Sequence, residues 1–210
     1  MSVPFPTMKR PLVAILRGVK PDEADGIVSV LIEAGMTAIE IPLNSPDPFR
    51  SIEIAVKRAS AGVLVGAGTV LTTDDVDRLR DVGGKLLVAP NVDTQVIARA
   101  HEHGMVTMPG VFSPTEALLA ASVGASSLKF FPASVLGAAG ISAIRAVLPA
   151  GAMIAAVGGV SDQNFAEYVR SGVRAFGLGS SLYKRGMTAP DVAARAKATI
   201  VAYDLAIRGT

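Results

Sequence analysis

Of the seven lysines in the chain, only one lies inside a strongly apolar run. Ser127-Leu128-Lys129-Phe130-Phe131-Pro132 has the length and composition of a buried strand, with an ammonium at its middle. Lys9, Lys20, Lys57, Lys184 and Lys197 are expected in loops or helices, and Lys85 just ahead of a strand. Burial disfavours the charged form of an amine. An inward Lys129 would therefore carry a neutral nucleophile able to condense with a carbonyl. An outward one would run its stem between helices and reach solvent. Glu40 is the matching anomaly, a carboxylate among aliphatics in Ala38-Ile39-Glu40-Ile41-Pro42-Leu43. Burial raises its pKa and a nearby lysine lowers it, a balance that holds a general base near neutrality. The competing reading is a structural ion pair with Lys129 or Arg17, which is costly to bury for stability alone.

Arg17 ends the run Ala14-Ile15-Leu16-Arg17-Gly18, and Thr69 ends Gly66-Ala67-Gly68-Thr69. A planar guanidinium and a hydroxyl donor suit a carboxylate ligand. A solvated strand-end arginine and a turn threonine remain open for the same two positions. Two late glycine clusters stand out: Val157-Gly158-Gly159-Val160 and Gly177-Leu178-Gly179-Ser180-Ser181. Glycines there expose backbone N–H groups to an anion, or simply make turns. His101 and His103 face different directions on a helix and make a poor metal pair. Asp74, Asp75 and Asp77 read as a solvated acidic helix start, and Asn91 and Asp93 as a turn or N-cap. Nothing has the ligand set of a structural metal site.

These residues need a frame. Eight short apolar runs recur along the chain: Leu12–Arg17, Ala38–Leu43, Leu64–Thr69, Leu86–Pro90, Val106–Gly110, Ser127–Pro132, Ile154–Gly159 and Ala175–Ser180. Runs apolar on both faces read as parallel strands. Between them lie amphipathic stretches with polar starts and glycine stops: Asp22–Ala34, Asp74–Val82, Thr94–His103, Ser113–Val123 and Asp162–Ser171. A long helix from Asp191 to about Arg208 follows. Eight strands alternating with eight helices predict an α/β fold of the (β/α)8 TIM-barrel type, one domain over residues 1–210. The rival doubly wound sheet would show Gly-x-Gly-x-x-Gly after its first strand, where this chain has Arg17-Gly18-Val19-Lys20-Pro21. In a barrel, Lys129, Glu40, Arg17 and Thr69 all fall toward the C-terminal ends of strands, and the glycines at strands seven and eight occupy the recurrent phosphate site.

Composition narrows the partners. Net charge is +2 with scattered basic residues, which gives no nucleic-acid groove and no polybasic membrane patch. There is no cysteine, so disulfides and thiolate chemistry are excluded. No run is long enough to span a bilayer, and Met1 to Pro11 lacks a signal-peptide core. A cytoplasmic protein is expected.

With these residues in view, the chain resembles the 2-keto-3-deoxy-6-phospho-sugar-acid (KDPG/KHG) aldolases. The likeness runs from Val13-Ala14-Ile15-Leu16-Arg17-Gly18 through Gly66-Ala67-Gly68-Thr69-Val70 and Leu128-Lys129-Phe130-Phe131-Pro132 to Gly177-Leu178-Gly179-Ser180. The resemblance implies a class I aldolase with Lys129 as Schiff-base lysine and Glu40 as acid/base. It implies Arg17 and Thr69 on the pyruvate carboxylate, and Gly158, Gly159, Gly179 and Ser180 on the phosphate. It also implies a homotrimer with neither metal nor cofactor. Its partners would be a phosphorylated keto-deoxy sugar acid, pyruvate and glyceraldehyde 3-phosphate. The phosphogluconate branch commonly carries Thr-Leu-Arg-Thr after the glutamate and Thr before Gly-Gly. Here Pro42-Leu43-Asn44-Ser45-Pro46 and Val157 stand instead, which resembles the phosphogalactonate branch and leaves Arg17 as the carboxylate clamp. The alternatives are the gluconate epimer, a phosphate-binding barrel isomerase or synthase, and a catalytically silent sugar-phosphate binder.

Overall fold

In the computed structural model, which describes residues 2–209, parallel strands close into a barrel wrapped by helices. The strands are β1 (Leu12–Ile15), β2 (Ala38–Pro42), β3 (Leu64–Gly68), β4 (Leu86–Val88), β5 (Val106–Met108), β6 (Gly110–Val111), β7 (Leu128–Phe130), β8 (Ile154–Val157) and β9 (Ala175–Leu178). The helices are α1 (Pro21–Ala34), α2 (Pro48–Arg58), α3 (Thr73–Asp81), α4 (Thr94–Glu102), α5 (Pro114–Ser122), α6 (Ala133–Arg145), α7 (Phe165–Arg170) and α8 (Ala189–Arg208). Nine segments stand for eight strands because the fifth run breaks at Pro109, whose missing N–H cannot join a ladder. Its first half, β5, pairs with β4, and its second half, β6, pairs with β7. The backbone N–H groups of Ser127 and Lys129 donate to Thr107 O and Pro109 O, both at 3.0 Å, and so carry the ladder across the break. The barrel is closed there.

Local chemistry sets the helix starts. Ser113 and Glu116 form a reciprocal cap with Pro114 at the first turn of α5, and Thr188 and Asp191 do the same for α8. Asp93 caps α4 through the N–H groups of Gln95 and Val96, as its spacing suggested. Two expectations are corrected. The seventh helix begins at Phe165 rather than Asp162, because Asn164 accepts from Ser161 N and holds those residues in a turn. Asp77 is not merely a solvated helix-start acid: it accepts from Arg99 at 2.8 Å and contacts His103 Nε2 at 2.7 Å, joining α3 to the end of α4.

Strand alternation divides the apolar residues into two cores. Ile39, Ile41, Leu128, Phe130, Phe176 and Leu178 point outward to the helices, where Phe165, Phe176 and Tyr203 meet edge to face. Val13, Ala38, Leu86, Val88, Val106, Met108, Ala155 and Ala175 fill the barrel interior. Val3, Phe5 and Met8 of the N-terminal arm pack under that inner cluster, so an extended arm covers the barrel floor. Ser126 Oγ donates to Val3 O at 2.6 Å and pins the arm there.

Candidate active site

Above the inner cluster the inward positions change character. Glu40 pairs in register with Ile15 on one side and Gly66 on the other, while Lys129 pairs with Gly110 and Ala155. The outward placement of Ile39 and Ile41, and of Leu128 and Phe130, turns Glu40 and Lys129 into the barrel. The glycines beside them mark close approach of neighbouring backbone: a Cβ at Gly66 would strike Leu86 O, and one at Gly110 would strike Pro90 O. At Gly68 the crowding is direct, because a Cβ there would sit within the Glu40 carboxylate.

The amine and the carboxyl are both buried, at 6% and 3% exposure. Among the described residues no hydrogen bond or ion pair joins them, and Glu40 Oε2 has no partner. The structural ion pair is therefore not formed. Lys129 Nζ lies 4.8 Å from the centroid of the Phe131 ring. Burial is the largest influence on both groups. It pushes Lys129 down to about 8, with the Glu40 charge opposing and the Arg17 charge assisting. It pushes Glu40 up to about 7 against the pull of Lys129 and Arg17. Near neutral pH each group can thus gain or lose a proton, which is what a nucleophilic amine and a proton-transfer partner require.

A cavity of about 540 Å³ opens at the C-terminal ends of β1, β8 and β9. Arg17, Gly158, Gly159, Gly179 and Ser180, five of the eight residues singled out in the sequence, line it. Gly158 and Gly159 have φ of 90° and 78°, a region that side chains with a Cβ rarely adopt. The backbone N–H groups of Gly159, Val160, Ser180 and Ser181 make no hydrogen bond with other described residues. With Arg17, Lys184 and Arg195 against Asp162 alone, the lining is positive. Free N–H groups and positive charge together make an anion seat. Lys129, Glu40 and Thr69 stand outside this lining; Phe131, whose ring lies beside Lys129 Nζ, is the lining residue that links the cavity to the amine. Thr69 follows β3 directly, half-buried, with a left-handed φ of 58° that is strained for a β-branched residue.

The sequence carried no functional reading for Phe131, Ser161, Lys184 or Arg195, and for Val157 only that of a branch marker, yet all five line the cavity. Phe131 follows Lys129 by two, so strand alternation would have found it, whereas Ser161 lies in the loop beyond β8, where no alternation holds. Arg195 has no such signal: it sits on α8 and reaches Ser181 O at 3.1 Å only because the helix packs there. Among the described residues no group of His, Asp and Glu side chains is arranged to hold a metal ion, and no helix is long and apolar enough to cross a membrane.

A closed barrel with a perturbed lysine and glutamate inside and an anion seat at its last strands has the layout of an aldolase, a lyase that cuts carbon–carbon bonds. The comparisons agree. The chain belongs to the KDPG and KHG aldolase family, whose model matches residues 6–198. It is 69% identical over 207 residues to a probable 2-dehydro-3-deoxy-6-phosphogalactonate aldolase of Rhizobium meliloti, covering 99% of this chain and 98% of that one. It is 44% identical over 200 residues to the 2-dehydro-3-deoxy-6-phosphogalactonate aldolase of Escherichia coli, covering 95% and 98%. A solved structure described as native KDPGal superposes with a TM-score of 0.94 at 44% identity, covering 96% of this chain and 98% of the other.

Proposed function

We propose that the chain cleaves 2-dehydro-3-deoxy-6-phosphogalactonate to pyruvate and D-glyceraldehyde 3-phosphate through a Schiff base on Lys129, in the cytoplasm and as a homotrimer. One observation carries the reading: an amine and a carboxyl are both turned into the same barrel interior and buried there without joining as an ion pair. The names of the two relatives support the substrate, and so does the Pro42–Pro46 segment after Glu40.

The neutral amine of Lys129 adds to the C2 ketone, and loss of water gives an iminium. That cation draws electrons from the bond between C3 and C4. Glu40, directly or through a water, takes the proton of the C4 hydroxyl. The C3–C4 pair then flows into the iminium and leaves an enamine while the aldehyde departs. Protonation of the enamine at C3 and hydrolysis of the iminium release pyruvate and restore the amine. The iminium supplies the polarisation that a Lewis acid would otherwise provide, so these steps need no metal. Arg17 and Thr69 hold the carboxylate end. Gly158, Gly159, Gly179 and Ser180 hold the phosphate, and Arg195 and Lys184 add charge beside it. Fixing both ends keeps the reacting bond over the amine.

The test is a comparison of kcat/KM for the two C4-epimeric substrates. The galactonate compound is expected to be favoured by at least about tenfold, within reach of one or two differential contacts. Equal values, or preference for the gluconate epimer, would overturn the substrate assignment and leave the aldolase standing.

A further inference from the structure

Arg17 is exposed at the end of β1, and a long exposed side chain must be aimed before it can hold a ligand efficiently. One donor is committed: Nη1 donates to Asn44 Oδ1 at 2.9 Å. A guanidinium only donates, so the accepting atom must be the amide oxygen, and the orientation of the Asn44 amide follows. The remaining Arg17 donors meet no side chain among the described residues, and Arg17 lines the cavity.

The segment carrying Asn44 is itself tied down. Leu43 N donates to Gly68 O at 2.8 Å, and Ser45 N donates to Pro42 O at 2.9 Å. The buried Ser45 accepts at Oγ from Gly18 N at 2.9 Å, which joins the loop to the residue that follows Arg17. Pro42, Pro46 and Pro48 restrict the backbone on both sides. The backbone at Asn44 is therefore held in place, and its exposed amide is offered to Arg17 from a restrained loop.

We propose that Asn44 is a positioning residue for the substrate carboxylate, holding one edge of the Arg17 guanidinium so that its free edge faces the anion. The proposal rests on the reading of Arg17 as the carboxylate clamp. Asn44 acts through Arg17 and not on the reacting bond. Its loss should therefore weaken the grip on pyruvate while leaving the chemistry of the bound complex unchanged.

The experiment uses pyruvate as the probe and borohydride trapping as the readout, with Asn44→Ala, Arg17→Ala and the double variant beside the full chain. Asn44→Ala is expected to raise the half-saturating pyruvate concentration by about five- to tenfold, with the limiting trapping rate within about twofold of the parent. In the Arg17→Ala background the Asn44 change should add nothing, because its only route to the ligand is gone. If Arg17→Ala leaves half-saturation unchanged, the clamp reading fails and the role of Asn44 fails with it. If Arg17→Ala weakens binding but Asn44→Ala does not, or if its factor persists in the double variant, the Asn44 proposal alone is overturned. A fall in the limiting rate matching the change in half-saturation would also overturn it.

Discussion

The charge of Glu40 raises the proton affinity of Lys129, and the charge of Arg17 lowers it. Burial dominates both, so the amine loses its proton at a pH where an exposed lysine would still be fully charged. Replacing Glu40 by Gln removes the one influence that opposes burial. The rise of trapping rate with pH in Glu40→Gln should therefore move to lower pH, by roughly half a unit to one unit, while cleavage slows by about 10²-fold or more for want of the acid/base. Pyruvate titrations across pH in wild type and variant would check this, and an unchanged profile would mean that the two groups do not sense each other. Stability should follow the same linkage. The pKa of Glu40 in the folded chain lies above its unfolded value, so its contribution is intact in acid and is lost as pH rises through about 7. The Gln variant should lack that loss, and its melting temperature should gain on wild type as pH is raised.

At the scale of elements, the glycines of β3 stand where neighbouring groups come too close for a side chain. A Cβ at Gly66 would strike the Leu86 carbonyl on β4, whereas the nearest atoms to one at Gly68 belong to the end of the Glu40 side chain. The two substitutions should therefore separate folding from catalysis. Gly66→Ala should cost stability by about 1–3 kcal/mol through overpacking. Gly68→Ala should melt near wild type but lose roughly tenfold or more in turnover, because a carboxylate displaced by about 1 Å is misaligned for proton transfer. Thermal melts and steady-state rates check both, and unchanged turnover in Gly68→Ala would argue against Glu40 as the acid/base. These elements also show what could be read from the chain. Lys129 and Glu40 were legible because a charge inside an aliphatic strand contradicts its own environment, and strand parity then gives its direction. The barrel was legible from the recurrence of apolar runs and glycine stops. The split at Pro109 was not, because pairing on both sides of one strand is a tertiary fact. Helices α2 and α6 had no clear boundaries in the sequence: α2 opens at Asp47 in a left-handed conformation without a side-chain cap, and α6 is broken at Gly137, which interrupts its periodicity. Arg195 gave no signal, and Asn44 none beyond its place in the segment that resembles the phosphogalactonate branch, because their contacts depend on packing and a single hydrogen bond, not on spacing.

At the scale of the molecule, large apolar side chains remain uncovered beside the mouth of the barrel. Phe112, Leu118 and Leu119 at α5 are about two-fifths exposed, and Val135 at the start of α6 is 72% exposed. Burying such surface between copies is a driving force for association, and it favours an oligomer, for which the trimer is our proposal. Sedimentation at micromolar concentration should give three chain masses, and Leu119→Glu should reduce that mass. A monomer in wild type would remove the trimer from the account without touching the chemistry. The central claim, that the folded barrel presents one neutral amine that bonds covalently to pyruvate, has a more direct test. Intact-mass measurement after borohydride reduction with pyruvate should find a single adduct per chain, located by peptide mapping on Lys129 and absent from Lys129→Ala. An adduct that survives in Lys129→Ala, or wild-type cleavage that proceeds with no adduct formed, would contradict it.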